Sequence, residues 1–236
     1  MLFFRSTLYF LGSTIAIFFV ALVTIILFFL PFRARYYVAS KWAQFCICWI
    51  NITLNIKINV VGKENIPNEA CIIISNHQST LETLAFQTIF PEQTWVFKKE
   101  LLMIPLFGWA IALLKPVVID RGRKVAAMKK VILHGSERLS RGIFLVVFPE
   151  GTRQPYGKLG NYQNGGAAIA KKSNNKVIPV FHDSGKCWPK GSFVKKPGTV
   201  NIVIGKPINP ESKTAAEITD EIFTWTESMS KKSNYN

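Results

Sequence analysis

Twenty-seven consecutive residues, Ser6 to Phe32, carry no charged side chain, and this run constrains the chain more than any other feature. About 20 apolar residues are enough to cross the hydrocarbon core of a bilayer, so the N-terminus belongs at a lipid surface. A cleaved signal peptide has a shorter apolar core, of about 7–15 residues, followed by a small-residue cleavage site. Here the run ends in Pro31-Phe32-Arg33-Ala34-Arg35, which offers no such site, and it reads as a retained anchor. Behind it, Ser40 to Ile56 holds Trp42, Phe45, Ile47, Trp49 and Ile50 after basic residues, the pattern of a helix lying in the interface. One spanning helix and a two-helix hairpin dipping into one leaflet both fit. Arg33, Arg35 and Lys41 outweigh Arg5, so the positive-inside rule points the rest of the chain into the cytoplasm, at the cell's inner membrane.

Charge tells the same story. Lys and Arg number 29 against 14 Asp and Glu, yet 49% of the residues are hydrophobic. No acidic residue precedes Glu64, whereas Arg5, Arg33, Arg35, Lys41, Lys57 and Lys63 all do. Anionic headgroups attract such a segment, by about 1 kcal/mol per basic residue near the surface. A nucleic-acid partner is disfavoured, because its basic patches would interleave with aromatics on a soluble domain. At 236 residues the chain has room for an anchor, 1–57, and one catalytic-sized domain, 58–236. Cys46, Cys48, Cys71 and Cys187 match no disulfide framework and no zinc spacing, and read as reduced thiols.

From Val60 onward, short β-branched runs alternate with amphipathic stretches, the rhythm of an α/β domain with a mixed sheet flanked by helices. Strands are expected at Cys71–Ser75, Thr94–Phe97, Val117–Asp120, Ile143–Phe148, Val177–Phe181 and Val200–Ile204. Helices are expected at Thr80–Phe90, Leu106–Leu114, Lys124–Leu139, Gly166–Lys172 and Ala215–Met229. The sequence contains no G-x-S-x-G elbow, Walker loop, dinucleotide glycine fingerprint or H-E-x-x-H.

Chemistry concentrates where Ile72-Ile73-Ile74 runs into Ser75-Asn76-His77-Gln78-Ser79-Thr80-Leu81-Glu82. Strand ends of this kind are where α/β proteins place their sites. An imidazole at His77 can take a proton from an attacking hydroxyl near neutral pH. Glu82, five residues on, can hold its other ring nitrogen as a carboxylate does in hydrolytic triads. Ser79-x-x-Glu82 is also a capping box, in which Glu82 would bond the Ser79 amide and do no chemistry. Phe148-Pro149-Glu150-Gly151-Thr152-Arg153 taken alone is good surface-turn chemistry.

Taken together, four blocks change the balance: Asn76-His77-x-x-x-x-Glu82; Lys99-x-x-Leu102-x-x-x-x-x-Gly108-Trp109 with Ile119-Asp120-Arg121; Phe148-Pro149-Glu150-Gly151-Thr152-Arg153; and Val177-Ile178-Pro179-Val180. Over Val60 to Ile208 the sequence resembles the 1-acylglycerol-3-phosphate acyltransferases, the PlsC-type glycerolipid acyltransferases. The resemblance implies transfer of a fatty acyl group from a thioester to the free hydroxyl of lysophosphatidic acid, giving phosphatidic acid, with His77 and Glu82 catalytic. It implies that Arg121, Glu150, Gly151, Thr152 and Arg153 bind the acceptor's phosphate, and Arg suits this because its planar fork pairs with phosphate oxygens. Membrane lipids and an acyl carrier protein or coenzyme A thioester are the implied partners, with no cofactor and no metal. Related acceptors, namely glycerol 3-phosphate, another lysophospholipid or a lyso-aminolipid, keep the same chemistry; a lipid hydrolase would replace the acceptor by water. Two departures stand out: Glu82 occupies a position that is usually Asp, and a lysine common near Gln163 is missing. Trp109 is expected to pack, and His134 and the His182-Asp183 doublet to play ordinary structural roles.

Overall fold

Runs such as Ile72-Ile73-Ile74 and Phe144-Leu145-Val146-Val147 have no polar face, as expected of parallel strands covered on both sides. The computed structural model describes residues 1–119 and 124–234. Seven strands, β1 (Ile56–Val61), β2 (Ile72–Ser75), β3 (Gln93–Lys98), β4 (Val117–Ile119), β5 (Phe144–Val147), β6 (Val177–His182) and β7 (Gly198–Ile204), form one sheet. Their order is β1-β7-β6-β2-β5-β3-β4. Every ladder is parallel except β6 against β7, so the sheet is mixed. The helices are α1 (Leu2–Ile26), α2 (Phe32–Leu54), α3 (Leu81–Ile89), α4 (Phe107–Leu113), α5 (Lys124–Ser140), α6 (Gly165–Ser173) and α7 (Ala215–Asn234).

Strand alternation sorts these helices into two layers. Ile73, Phe144, Val146, Ile178 and Val180 share a buried cluster with Tyr36, Ile50 and Leu54 of α2 and with Leu81, Ala85 and Phe86 of α3. Ile72, Ile74, Leu145 and Val147 turn to the other side, against Val131 of α5, Ala167 and Ile169 of α6, and Ile218 and Ile222 of α7. The expected strands and helices of the α/β region appear with ends shifted by a few residues at most. Asp120, at the end of the expected fourth strand, lies outside the described residues.

One boundary is displaced. The division at 57/58 cuts through β1, an edge strand paired with β7 that the sequence reading did not assign. Nor is α2 part of a separable anchor, because Ile50 and Leu54 are buried in the domain core. The aromatic and aliphatic stripe of Ser40 to Ile56 satisfies a protein core as well as a lipid interface, which is why its composition did not distinguish them.

Helix α1 runs antiparallel to α2 and is fastened along its length. The Arg5 side chain bonds the Thr53 carbonyl, Trp49 Nε1 donates to Leu8 O (3.3 Å) and Trp42 Nε1 donates to Ser13 O (3.0 Å). At one end of the hairpin the Lys195 amide donates to Ser6 Oγ (3.0 Å), and at the other Arg33 lies 3.8 Å from Glu92, just before β3. The pair therefore lies along the domain. The outer side of α1 presents Ile15, Phe18, Phe19 and Leu22 to the surroundings. Among the described residues α1 is the one helix long and apolar enough to cross a membrane.

This packing makes a prediction about two residues that composition alone would both assign to an anchor. Ile50→Ala removes a fully buried side chain and should cost about 2–5 kcal/mol. Phe18→Ala on the open side of α1 should cost less than about 0.5 kcal/mol in detergent. Thermal denaturation of the two variants in detergent solution measures the difference.

Candidate active site

The C-terminal ends of β2, β5 and β6 meet at one edge of the sheet, and His77 sits two residues beyond β2. Asn76 locks the β2 end to the β6 end: its Nδ2 donates to His182 O (2.9 Å), and its Oδ1 accepts from the His182 amide (3.0 Å). His182 Nε2 donates in return to Asn76 O at 2.8 Å.

The His77 backbone is gripped by the loop that follows β5. Glu150 Oε2 accepts from the His77 amide (2.8 Å), and the Gln154 amide donates to the His77 carbonyl (2.7 Å). The ring stacks on Phe148, with centroids 4.0 Å apart and planes within 14°. With backbone and ring both held, the imidazole has little rotational freedom left.

Its Nδ1 lies 2.7 Å from Glu82 Oε1, in the first turn of α3. Glu82 Oε1 also accepts from the amides of Gln78 and Ser79, both at 2.9 Å. Glu82 Oε2 accepts from Ser79 Oγ (2.5 Å) and from Ser184 Oγ (2.8 Å). The capping box and the pairing with His77 are thus one arrangement: Glu82 caps the turn through the Ser79 amide and holds the imidazole with the same carboxylate.

The Glu82 side chain is completely buried, and burial by itself would raise its pKa. His182, His77 and the Ser79 donor outweigh that and hold the carboxyl well below the ordinary carboxylate range. Burial pushes the His182 imidazole in the opposite sense, down, with Glu82 pulling it back up. With its Nε2–H given to Asn76 and Nδ1 facing the Ser184 amide at 3.4 Å, His182 stands behind Glu82, 3.8 Å away. An ionised Glu82 accepts from His77 Nδ1–H, which leaves the imidazole lone pair on Nε2. The side chain of His77 keeps 16% of its surface exposed.

The remaining predicted residues divide by place. Glu150 points inward to the His77 amide and to the Gly160 amide (2.9 Å). Gly151 adopts φ +65°, which a larger residue would strain to reach, and its amide closes a turn on Phe148 O (3.0 Å). Thr152 is exposed, and Arg153 is half-buried without an ion pair among the described residues. Arg121 lies outside the described residues. Gly108 packs where a Cβ would fall 2.3 Å from Leu102 O. The packing role expected of Trp109 is corrected, since its side chain is 55% exposed. His134 is paired with Glu137 on α5 (3.5 Å), and Asp183 is taken up by the Asn201 amide (2.7 Å). Sequence reasoning missed Asn76, His182 and Ser184 as parts of the site. Adjacency to His77 could have flagged Asn76; the other two follow only from β6 lying beside β2.

A half-buried histidine held by a buried carboxylate at the strand ends of an α/β sheet, without a serine elbow, is an arrangement compatible with acyl transfer. The chain belongs to the acyltransferase family, whose model matches residues 57–183. It is 42% identical over 200 residues to the 1-acyl-sn-glycerol-3-phosphate acyltransferase of Pseudomonas aeruginosa, covering 83% of this chain and 78% of that one. A chloroplastic enzyme of the same name from Arabidopsis thaliana is 31% identical over 193 residues, covering 78% of this chain and 52% of that longer protein. The crystal structure of the 1-acyl-sn-glycerophosphate acyltransferase PlsC from Thermotoga maritima superposes with a TM-score of 0.83 at 25% identity, over 99% of this chain and 96% of that one.

Burial, opposed in part by its two amide contacts, pushes Glu150 up to about 7 from an ordinary value of 4.5. A carboxyl so shifted binds its proton more tightly when folded, so its contribution to stability is complete below about 4.5 and is lost as pH rises through about 7. Glu150→Gln has no such proton. The stability of the wild type relative to this variant should therefore fall by up to about 3 kcal/mol between pH 4.5 and 8. Melting curves of both proteins across that range test it, and a flat difference contradicts it.

Proposed function

We propose that this chain transfers a fatty acyl group from a thioester to the free hydroxyl of lysophosphatidic acid, forming phosphatidic acid. The 2.7 Å pairing of His77 Nδ1 with a buried Glu82 is the observation that carries the reading. His77 Nε2 takes the proton of the attacking hydroxyl as its oxygen bonds to the thioester carbonyl carbon. Glu82 stabilises the imidazolium and stays ionised throughout, as its depressed pKa supports. The tetrahedral intermediate collapses by breaking the C–S bond, and the imidazolium returns its proton to the departing thiolate. The thioester is already activated, so the sequence needs no cofactor or metal.

Arg153 receives the acceptor's phosphate. It stands next to Gln154, whose amide holds the His77 carbonyl, so a phosphate there lies close to the base. Thr152 and Gly151 line the same turn, and Arg121 joins them on the strength of the sequence blocks. Glu150 serves this site indirectly, by fixing the His77 backbone. The donor is an acyl carrier protein or coenzyme A thioester; both are acidic, and the chain carries a formal net charge of +15.

The α1–α2 hairpin lies within one leaflet of the cell's inner membrane, with the catalytic domain in the cytoplasm. A perpendicular span would draw into the bilayer the part of the domain to which the hairpin is fastened at both ends, by Ser6–Lys195 and Arg33–Glu92. It would take Glu92 and exposed basic residues with it.

Purified protein in detergent, given labelled acyl donor and lysophosphatidic acid, tests the reaction. Wild type should form phosphatidic acid, with His77→Ala and Glu82→Gln each slower by about 10²–10⁴-fold. Replacing the acceptor with glycerol 3-phosphate should reduce the product, and labelled free fatty acid should stay minor. Equal rates for wild type and His77→Ala would defeat the proposal.

A further inference from the structure

The connection from β3 to β4 carries an apolar surface that the chemistry does not use. Met103, Ile104 and Trp109 are large and exposed, Met103 to 77%. They are not a slack loop. Leu106 has φ +62° and ψ −59°, and the Phe107 amide reaches back to Pro105 O at 2.7 Å, a tight turn of a kind rarely adopted by a bulky residue. Such a turn persists only where its surroundings hold it. Here Gly108 is pressed onto Leu102, and Phe107 meets Trp42 edge-on at 6.5 Å.

Trp42 is the link to the anchor, because its indole bonds the Ser13 carbonyl in the middle of α1. The segment is thereby tied to α1, whose outer side is exposed and apolar. Lys98 and Lys99 stand exposed at the start of the connection, beside an exposed Glu100, and Lys115 at its end, a net positive rim. Apolar side chains with a tryptophan among them and lysines at the rim match a bilayer interface with anionic headgroups. A second copy of the chain is a poor occupant, since it would bring the same charge of +15 to a lysine-rimmed patch.

We propose that the segment Met103–Trp109 inserts into the membrane beside α1 as a second foothold, at the catalytic end of the sheet. This rests on the reading of the hairpin as lying in one leaflet. β3 pairs in parallel with β5, so the segment emerges at the same edge as Phe148 and Glu150. A lysolipid hydroxyl then passes from the headgroup layer to His77 without crossing bulk water.

The test places an environment-sensitive fluorophore on single cysteines in a Cys48→Ser background, the other three native cysteines being buried. Labels go at Met103→Cys, at Phe18→Cys on α1 and at Glu211→Cys near the opposite end of the sheet. In vesicles of phosphatidylethanolamine and phosphatidylglycerol, the labels at 103 and 18 should shift to the blue and be quenched by brominated lipid, while that at 211 stays unchanged. A response at 18 without one at 103 overturns the second foothold and leaves the anchor standing; a response at neither overturns both. A shift at 103 that needs no lipid and vanishes on dilution of the protein assigns the patch to a second copy, which also overturns it. Met103→Glu combined with Ile104→Glu should lower acyl transfer to vesicle-borne acceptor about tenfold yet leave transfer in detergent micelles within about twofold. Equal loss in both overturns the proposal.

Discussion

The buried carboxylate of Glu82 is the group around which the catalytic end is assembled. An ionised carboxylate without partners would be far too costly to bury, and this one survives because five donors converge on it: His77 Nδ1, the amides of Gln78 and Ser79, and the hydroxyls of Ser79 and Ser184. Four of these come from the turn between β2 and α3 and one from the segment after β6. The charge therefore fixes the shape of the turn and the seat of α3, and it ties β6 to both. The base is held by the same group that holds the fold at that point.

The second half of the grip comes from β5. Phe148 supports the ring from its face, Glu150 takes the His77 amide and Gln154 supplies a donor to its carbonyl. Glu150 is thereby spent on the protein. That leaves Arg153, half-buried and without an ion pair among the described residues, as the charged residue of this turn that takes the acceptor in the proposed reaction. A carboxylate beside a phosphate would repel it, so turning Glu150 inward keeps the turn cationic where an anion is to bind. It also couples the turn after β5 to His77 through covalent neighbours and two hydrogen bonds.

Much of this was legible in the sequence, and the parts that were not share a cause. Regular elements from β2 to α7 could be read because short β-branched runs alternate with amphipathic stretches. His77 and Glu82 could be picked out because they are close in sequence, five residues apart across a turn. His182 and Ser184 could not, because they lie more than 100 residues from His77 and approach only when β6 inserts between β2 and β7. The reading of Ser79-x-x-Glu82 as a cap and that of Glu82 as the partner of His77 are both met in the structure, since one carboxylate has enough lone pairs for both bonds. The boundary at 57 failed for a different reason. Hydrophobicity says that a stripe is buried but not in what, and Ile50 and Trp49, neighbours in α2, face core and α1 respectively.

That last point bears on why the anchor is welded to the domain. A catalytic domain on a flexible tether samples every orientation above the bilayer, and only a small fraction would bring its base to a lipid hydroxyl. Here α2 shares a core with β2, and β2 carries His77 at its end. The height and tilt of the imidazole over the lipid plane are then set by packing, wherever the hairpin itself comes to rest. Positioning of this kind can lower a bimolecular barrier by several kcal/mol. For a reaction whose acceptor is already concentrated in two dimensions and whose donor is already activated, orientation is the main obstacle that the protein has left to remove.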